Sequence, residues 1–199
     1  MSDRLEIERV GVVGAGTMGS GIAEVCARSG VYTMVVDVDD EYVAACRTRI
    51  EKSLDKSVGK GQMTSEHRDS ALELLGFATD LDALSDRDLV VEAIIESEPE
   101  KISVFQTLDK LLAPHALIAS NTSSIPIIRL AKATQRADKV LGMHFFNPAP
   151  VQPLVEIVRA RCSSDQAVQT AYEWAEQAGK RPVKCNDTPG FIVNRILIP

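Results

Sequence analysis

The tightest constraint on this sequence is the run Val12-Val13-Gly14-Ala15-Gly16-Thr17-Met18-Gly19, which sets Gly-x-Gly-x-x-Gly directly behind a short apolar segment. Val10–Val13 reads as a buried strand, and Ser20–Ser29 has helix character. A strand that turns at once into a helix needs Gly14 for the tight turn, while Gly16 lets backbone approach a diphosphate and Gly19 lets the helix pack closely on the strand. The helix N-terminus adds oriented N–H groups and a positive dipole, with Thr17 and Met18 completing the loop. A plain glycine-rich turn is the alternative reading of the spacing. Asp37 weighs against it, because it ends the next apolar run, Tyr32–Val36, about 20 residues on, where an acid accepts hydrogen bonds from ribose hydroxyls. An acid there repels a 2′-phosphate and Val38 offers no arginine to receive one, so the expected cofactor is NAD rather than NADP.

From Glu8 to about Ala160, short apolar runs alternate with longer amphipathic stretches, the pattern of βαβ units in a parallel sheet. Further strands are expected at Leu89–Ala93, Leu117–Ala119, Val140–Met143, Leu154–Val158 and Pro182–Lys184, with a helix over Asp165–Ala178. Between Asp39 and Leu75 the apolar positions Val43, Ala44, Ile50, Leu54 and Val58 fit helical spacing, and Gly59-Lys60-Gly61 breaks it. The fold class that follows is α/β: a Rossmann-type, mainly parallel sheet with a protruding helical hairpin. After Thr188-Pro189-Gly190 an apolar helix opens and the chain stops at Pro199, which suggests that a further unit begins here.

Composition narrows the function classes. Hydrophobic residues make up 45% and charged residues 25% of the 199, as in an ordinary globular chain. A net charge of −6 disfavours nucleic acid as a partner, and no apolar run approaches the roughly 18 residues of a membrane span. The acid-bearing N-terminus has neither the order of a signal peptide nor the composition of a transit peptide, so a cytoplasmic location is expected. Cys26, Cys46, Cys162 and Cys185 are scattered without a Cys-x-x-Cys pair, which argues against a metal site or a disulfide framework. They are expected to pack or lie idle, and neither His67 nor His115 is given a role.

His144 follows the apolar strand Val140–Met143, where strand ends line the ligand crevice of an open α/β sheet. Glu156 lies inside Leu154-Val155-Glu156-Ile157-Val158, where an unpaired carboxylate is costly to desolvate and needs a partner. A carboxylate that fixes one ring nitrogen of a histidine makes the other an oriented base. Spacing alone does not join these two residues: His144 also reads as a packed strand-end histidine, and Glu156 as a surface acid on an edge strand.

Four blocks carry a resemblance: Ala119-Ser120-Asn121-Thr122-Ser123-Ser124, His144-Phe145-Phe146-Asn147-Pro148, Pro153-Leu154-Val155-Glu156 and Asp187 through Arg195. Together with the glycine loop they closely resemble the L-3-hydroxyacyl-CoA dehydrogenases, especially the bacterial 3-hydroxybutyryl-CoA enzymes. The resemblance implies hydride transfer between NAD and C3 of a short 3-hydroxyacyl-CoA. It implies that His144 is the catalytic base, Glu156 its orienting partner, Ser123 a hydroxyl on the substrate's C3 oxygen, and Asn194 the completion of that polar cluster. Glu96 and Lys101 match an acid–lysine pair near the cofactor, and Asn147 a further cofactor contact; without the family, Glu96 and Lys101 read as surface charges at a helix start. Ser53, Lys56 and Lys60 resemble positions where the hairpin meets coenzyme A, and they fit a solvated helix face equally well.

The family also implies an all-helical C-terminal domain that carries the dimer contacts. The expected division is therefore a catalytic NAD-binding domain over residues 1–187 and, over 188–199, a linker with the start of the helical domain. On that reading the full-length form is a homodimer, this chain is mainly monomeric, and its terminal segment frays or docks non-natively, leaving Asn194 poorly placed. Two rivals remain: a related dehydrogenase of L-gulonate or another small hydroxy acid, and a catalytically silent NAD-binding protein like the lens crystallins that resemble this family.

Overall fold

The computed structural model describes residues 6–197; residues 1–5, in the acid-bearing N-terminus, and 198–199, the end of the expected apolar helix, lie outside them. The first unit is β1 (Arg9–Val13), α1 (Thr17–Arg28) and β2 (Tyr32–Val36). The hairpin follows as α2 (Asp40–Gly59) and α3 (Ser65–Glu73). Asp39 starts α2 by accepting from the Glu41 amide, and Gly61, at φ +67°, breaks the chain direction after it. Cys46, Ile50 and Leu54 recur every four residues and form the buried stripe that holds the hairpin on the domain, so its attachment is apolar while its outer face is charged.

Then come β3 (Leu75–Ala78), β4 (Leu89–Glu92), α4 (Glu98–Leu111), β5 (Leu117–Ser120), α5 (Ile127–Ala131) and β6 (Val140–Phe145). The chain continues through β7 (Leu154–Arg159), α6 (Asp165–Gln177), β8 (Arg181–Asn186) and α7 (Val193–Leu197). The strands form one sheet in the order β3-β2-β1-β4-β5-β6-β7-β8, parallel throughout except for the antiparallel pair β6–β7. Alternate residues face opposite layers: Val12, Val91 and Met143 pack with Ile22 and Trp174 on one side, and Val13, Val90 and Val140 with Phe105 and Leu130 on the other. With both faces covered, the central strands are continuously apolar. The order reverses between β1 and β4, where the connections leaving these two strands part and leave a crevice at the strands' C-terminal ends.

Four expectations need correction. Leu75–Ala78 is a strand, paired parallel to β2, whereas the sequence reading ends a charged helical stretch at Leu75 and assigns no strand there. Four residues with Gly76 among them carry too short a pattern for alternation to register. β6 runs on through Phe145, so His144 lies within the strand rather than beyond its end. β7 is not an edge strand, since β8 pairs along its whole length. The segment after Thr188 does not fray within the described residues: Phe191, at φ +50°, is buried 3% exposed, and α7 begins only at Val193. Its amides find acceptors on β7, as the site makes clear. Among the described residues no helix is long and apolar enough to cross a membrane.

Candidate active site

The cradle at the switch point is set by sterics. Gly14 sits at φ +107°, and a Cβ there would come 2.6 Å from the Ala93 carbonyl oxygen. A Cβ on Gly19 would lie 1.7 Å from the Gly14 carbonyl oxygen, so no side chain fits between loop and helix. A Cβ on Gly16 would meet nothing within 4 Å, which leaves that side of the loop open to a ligand at the N-terminus of α1. Asp37 accepts from the Ala15 amide at 2.6 Å and the Val38 amide at 2.7 Å, holding the loop in place. Thr17 is exposed and Met18 half-buried at the first turn of α1. Arg49, which the sequence reading passed over, reaches from α2 to donate to the Ala15 carbonyl at 3.0 Å and to the Ser20 hydroxyl. The open cradle, the helix terminus and the half-exposed carboxylate fit a dinucleotide.

His144 and Glu156 are brought together by strand register: they stand directly opposite on β6 and β7, with His144 Nδ1 2.7 Å from a Glu156 carboxylate oxygen. The histidine is 6% exposed and the acid 1%. The other Glu156 oxygen accepts from the amides of Ile192 at 3.0 Å and Val193 at 2.9 Å. Those donors dock the segment before α7, and Phe191 lies against the His144 ring at a centroid separation of 5.7 Å. Asn194 then reaches Ser123, donating to its carbonyl oxygen at 3.2 Å.

A second polar cluster surrounds the loop after β5. Glu96 accepts from the Thr122 hydroxyl, the Ser123 amide at 3.0 Å and the Ser124 amide at 3.2 Å. Burial pushes the Glu96 carboxyl up, but the Thr122 hydroxyl, the Lys101 charge and the donors of Ser123 and Ser124 outweigh it and hold the group below the ordinary carboxylate range. Lys101 is 1% exposed, so it is no surface charge, and its nearer partner is not Glu96 at 3.4 Å but Glu92 at 2.5 Å. Glu92, Ser120 and Thr122 were missed, although the run Leu89-Val90-Val91-Glu92 carries the same signal that drew attention to Glu156: an acid in an apolar strand.

The hairpin residues separate. Ser53 lines a cavity of about 120 Å³ together with Thr17, Arg49 and Asn147, whereas Lys56, on the last turn of α2, and Lys60, just past its end, are exposed and do not line it. His67 stands at the start of α3, and His115 lies 3.3 Å from Asp88 at the far end of the sheet. All four cysteines are free thiols, and burial pushes Cys26 and Cys185 up to about 12. No cluster of three or more His, Cys, Asp or Glu residues among the described residues is arranged to hold a metal ion.

An open cradle at a helix N-terminus, in one sheet with a histidine set to exchange a proton, is the equipment of a dinucleotide-dependent oxidoreductase. Comparison with known proteins narrows the class: residues 9–188 match the family model described as 3-hydroxyacyl-CoA dehydrogenase, NAD binding domain, and the chain belongs to that family of NAD-dependent enzymes. A 3-hydroxybutyryl-CoA dehydrogenase of Mycobacterium tuberculosis is 51% identical over 100% of this chain and 70% of its own length. The crystal structure of FadB2 from M. tuberculosis matches with a TM-score of 0.95 at 51% identity, over 97% of this chain and 68% of that one. That of (S)-3-hydroxybutyryl-CoA dehydrogenase PaaH1 from Ralstonia eutropha matches with a TM-score of 0.94 at 42% identity, over 96% and 68%.

Proposed function

We propose that the chain carries out reversible hydride transfer between NAD and C3 of a short 3-hydroxyacyl-CoA, with 3-hydroxybutyryl-CoA as substrate. The observation that carries this reading is the 2.7 Å contact between His144 Nδ1 and Glu156, which commits one ring nitrogen and leaves Nε2 for the substrate hydroxyl. NAD, when bound, supplies the acceptor for the C3 hydride. Nε2 of His144 takes the hydroxyl proton in the oxidative direction and returns it in reduction. Glu156 stabilises the imidazolium between those events, and its two backbone donors keep it from turning away. Ser123 donates its hydroxyl to the C3 oxygen and Asn194 braces the Ser123 backbone. Gly14, Gly16, Thr17, Met18, Gly19 and Asp37 would hold the cofactor's diphosphate and adenosine end, with the Glu96–Lys101 pair near the cofactor and Asn147 as a further contact.

The acyl-CoA partner is assigned by the relatives' names together with Ser53, which lines the cavity shared with Asn147; Lys56 and Lys60 meet the coenzyme's outer phosphate if the hairpin receives it. We assign the activity to the cytoplasm, in keeping with four free thiols in a reducing compartment. We also propose that residues 1–187 are the catalytic unit, that 188–199 lead into a separate helical unit that makes the full-length homodimer, and that this chain alone is mainly monomeric. Exposed Ile196, on α7, supports a further apolar contact there. The test is loss of NADH absorbance on adding acetoacetyl-CoA. Absence of turnover with both substrates saturating sinks the enzymatic reading and leaves a silent NAD binder.

A further inference from the structure

We propose that Glu92 is a positioning residue for the loop Ser120–Ser124, setting the Ser123 hydroxyl through Lys101 and Ser120; this rests on the reading of Ser123 as the group that meets the C3 oxygen. Glu92 is the last residue of β4 and has no exposed surface. Three donors converge on it. One carboxylate oxygen accepts from the Ile94 amide at 2.8 Å and from Lys101 Nζ at 2.5 Å, and the other from the Ser120 hydroxyl at 2.6 Å. Ser120 Oγ in turn accepts from the Thr122 amide at 3.1 Å, and the Glu92 carbonyl from the Asn121 amide at 2.8 Å.

The loop is therefore gripped from two sides: Glu92 holds Ser120 and Asn121 beneath it, while Glu96 holds Thr122, Ser123 and Ser124 above. Both carboxylates approach Lys101, at 2.5 Å and 3.4 Å. Packing alone does not call for this arrangement. Leu89, Val90 and Val91 fill the same strand with apolar side chains, and a buried ion pair is often no more stable than an apolar replacement of equal volume. What the ion pair adds is a defined position. With the Glu92 charge removed, Lys101 has only Glu96 to neutralise it. Glu96 is the more exposed carboxylate, at 38%, and drawing it in from 3.4 Å pulls its other oxygen off the amides of Ser123 and Ser124.

The deciding measurements are kcat and KM for acetoacetyl-CoA in Glu92→Gln and Ser120→Ala, with circular dichroism to confirm the fold at assay temperature. Glu92→Gln keeps the shape and loses the charge; kcat falls about ten-fold or more while KM for acetoacetyl-CoA moves less than about three-fold. A residue that only stabilised the fold would lower the melting temperature and leave the kcat of the folded enzyme alone. Lys101→Met added to Glu92→Gln costs little beyond the larger single loss, because both break one link. Should Glu92→Gln fail to fold, Ser120→Ala decides: it removes one arm of the grip and lowers kcat about three-fold or more. Full kcat in folded Glu92→Gln, or in Ser120→Ala, overturns the inference. An inactive unsubstituted chain is a different failure, since it removes the reading of the site itself.

Discussion

Replacing Glu156 with glutamine separates the acid's catalytic contribution from its structural one. One carboxylate oxygen faces His144 Nδ1 at 2.7 Å, and the other accepts from two buried amides at 3.0 and 2.9 Å. A glutamine has two ways to sit there. With its NH₂ turned toward Ile192 and Val193, two buried N–H donors lose their acceptor at about 1–3 kcal/mol each, or about 2–6 kcal/mol together. With its oxygen toward those amides, all three contacts survive provided that His144 accepts at Nδ1 and carries its proton on Nε2, which a neutral imidazole does readily. The second arrangement wins. Stability then stays within about 1 kcal/mol of the parent, a shift of about 2–4 °C in melting temperature for a chain of this size. Turnover does not stay, because Nε2 now bears a hydrogen where it must accept one, and the loss is about 10²–10⁴-fold. Steady-state oxidation of 3-hydroxybutyryl-CoA by NAD, the direction in which Nε2 must accept the proton, gives the rate, calorimetry the stability, and ¹⁵N chemical shifts of His144 the tautomer. Wild-type kcat in a folded Glu156→Gln protein, or an Nδ1-protonated His144 in it, refutes the reasoning. Glu156→Ala, which leaves both amides unpaired, is expected to lose about 2–6 kcal/mol as well.

Other outcomes follow from the same geometry. Asp37→Ala weakens NAD binding by about 1–3 kcal/mol in titration calorimetry, and tighter binding of NADP than NAD to the unsubstituted chain would overturn the cofactor reading. Gly16→Ala, with open space around the added methyl, keeps the melting temperature but loses NAD affinity; Gly19→Ala, facing a carbonyl oxygen at 1.7 Å, lowers both. Glu24 is buried at 2% exposure, and desolvation raises its pKa above 4.5 despite Ser53 and Arg28. A raised carboxylate gives stability that is present below pH 4.5 and lost as pH rises through its folded value, so Glu24→Gln raises the melting temperature at pH 7 and changes little below pH 4.5. Sedimentation velocity is expected to find the chain mainly monomeric, and a stable dimer would count against the proposed division at residue 188.

What was legible in the sequence was what local sterics and capping decide. Gly14 and Gly19 are forced by carbonyl oxygens within a few residues of the turn or across one strand, so their spacing reads directly. The hairpin reads from its helical stripe and its glycine break. β3 did not read, because four half-buried edge residues show no period. The pairing of His144 with Glu156 needed register, and register depends on how β6 and β7 meet, not on the 12 positions that separate them. The docking of the segment 191–193 was hidden for a related reason: the groups it offers to Glu156 are backbone amides, which no residue type announces.

Glu92 was within reach and is instructive. Desolvating a carboxylate in an apolar strand obliges donors to gather round it, and that holds for Glu92 as for Glu156. The acids at 92 and 156 also divide their oxygens alike. One oxygen meets a nitrogenous side chain, Lys101 or His144, and the other meets a segment that leads into the polar cluster of Ser123 and Asn194. For Glu92 that segment begins at Ser120 and leads to Ser123; for Glu156 it begins at Ile192 and leads to Asn194. Asn194 then donates to the Ser123 carbonyl, so the two segments close on each other. On the proposed reading, two strand-borne carboxylates thus fix the segments that lead to Ser123 and Asn194 from the sheet, and the sequence marks the carboxylates but not the segments.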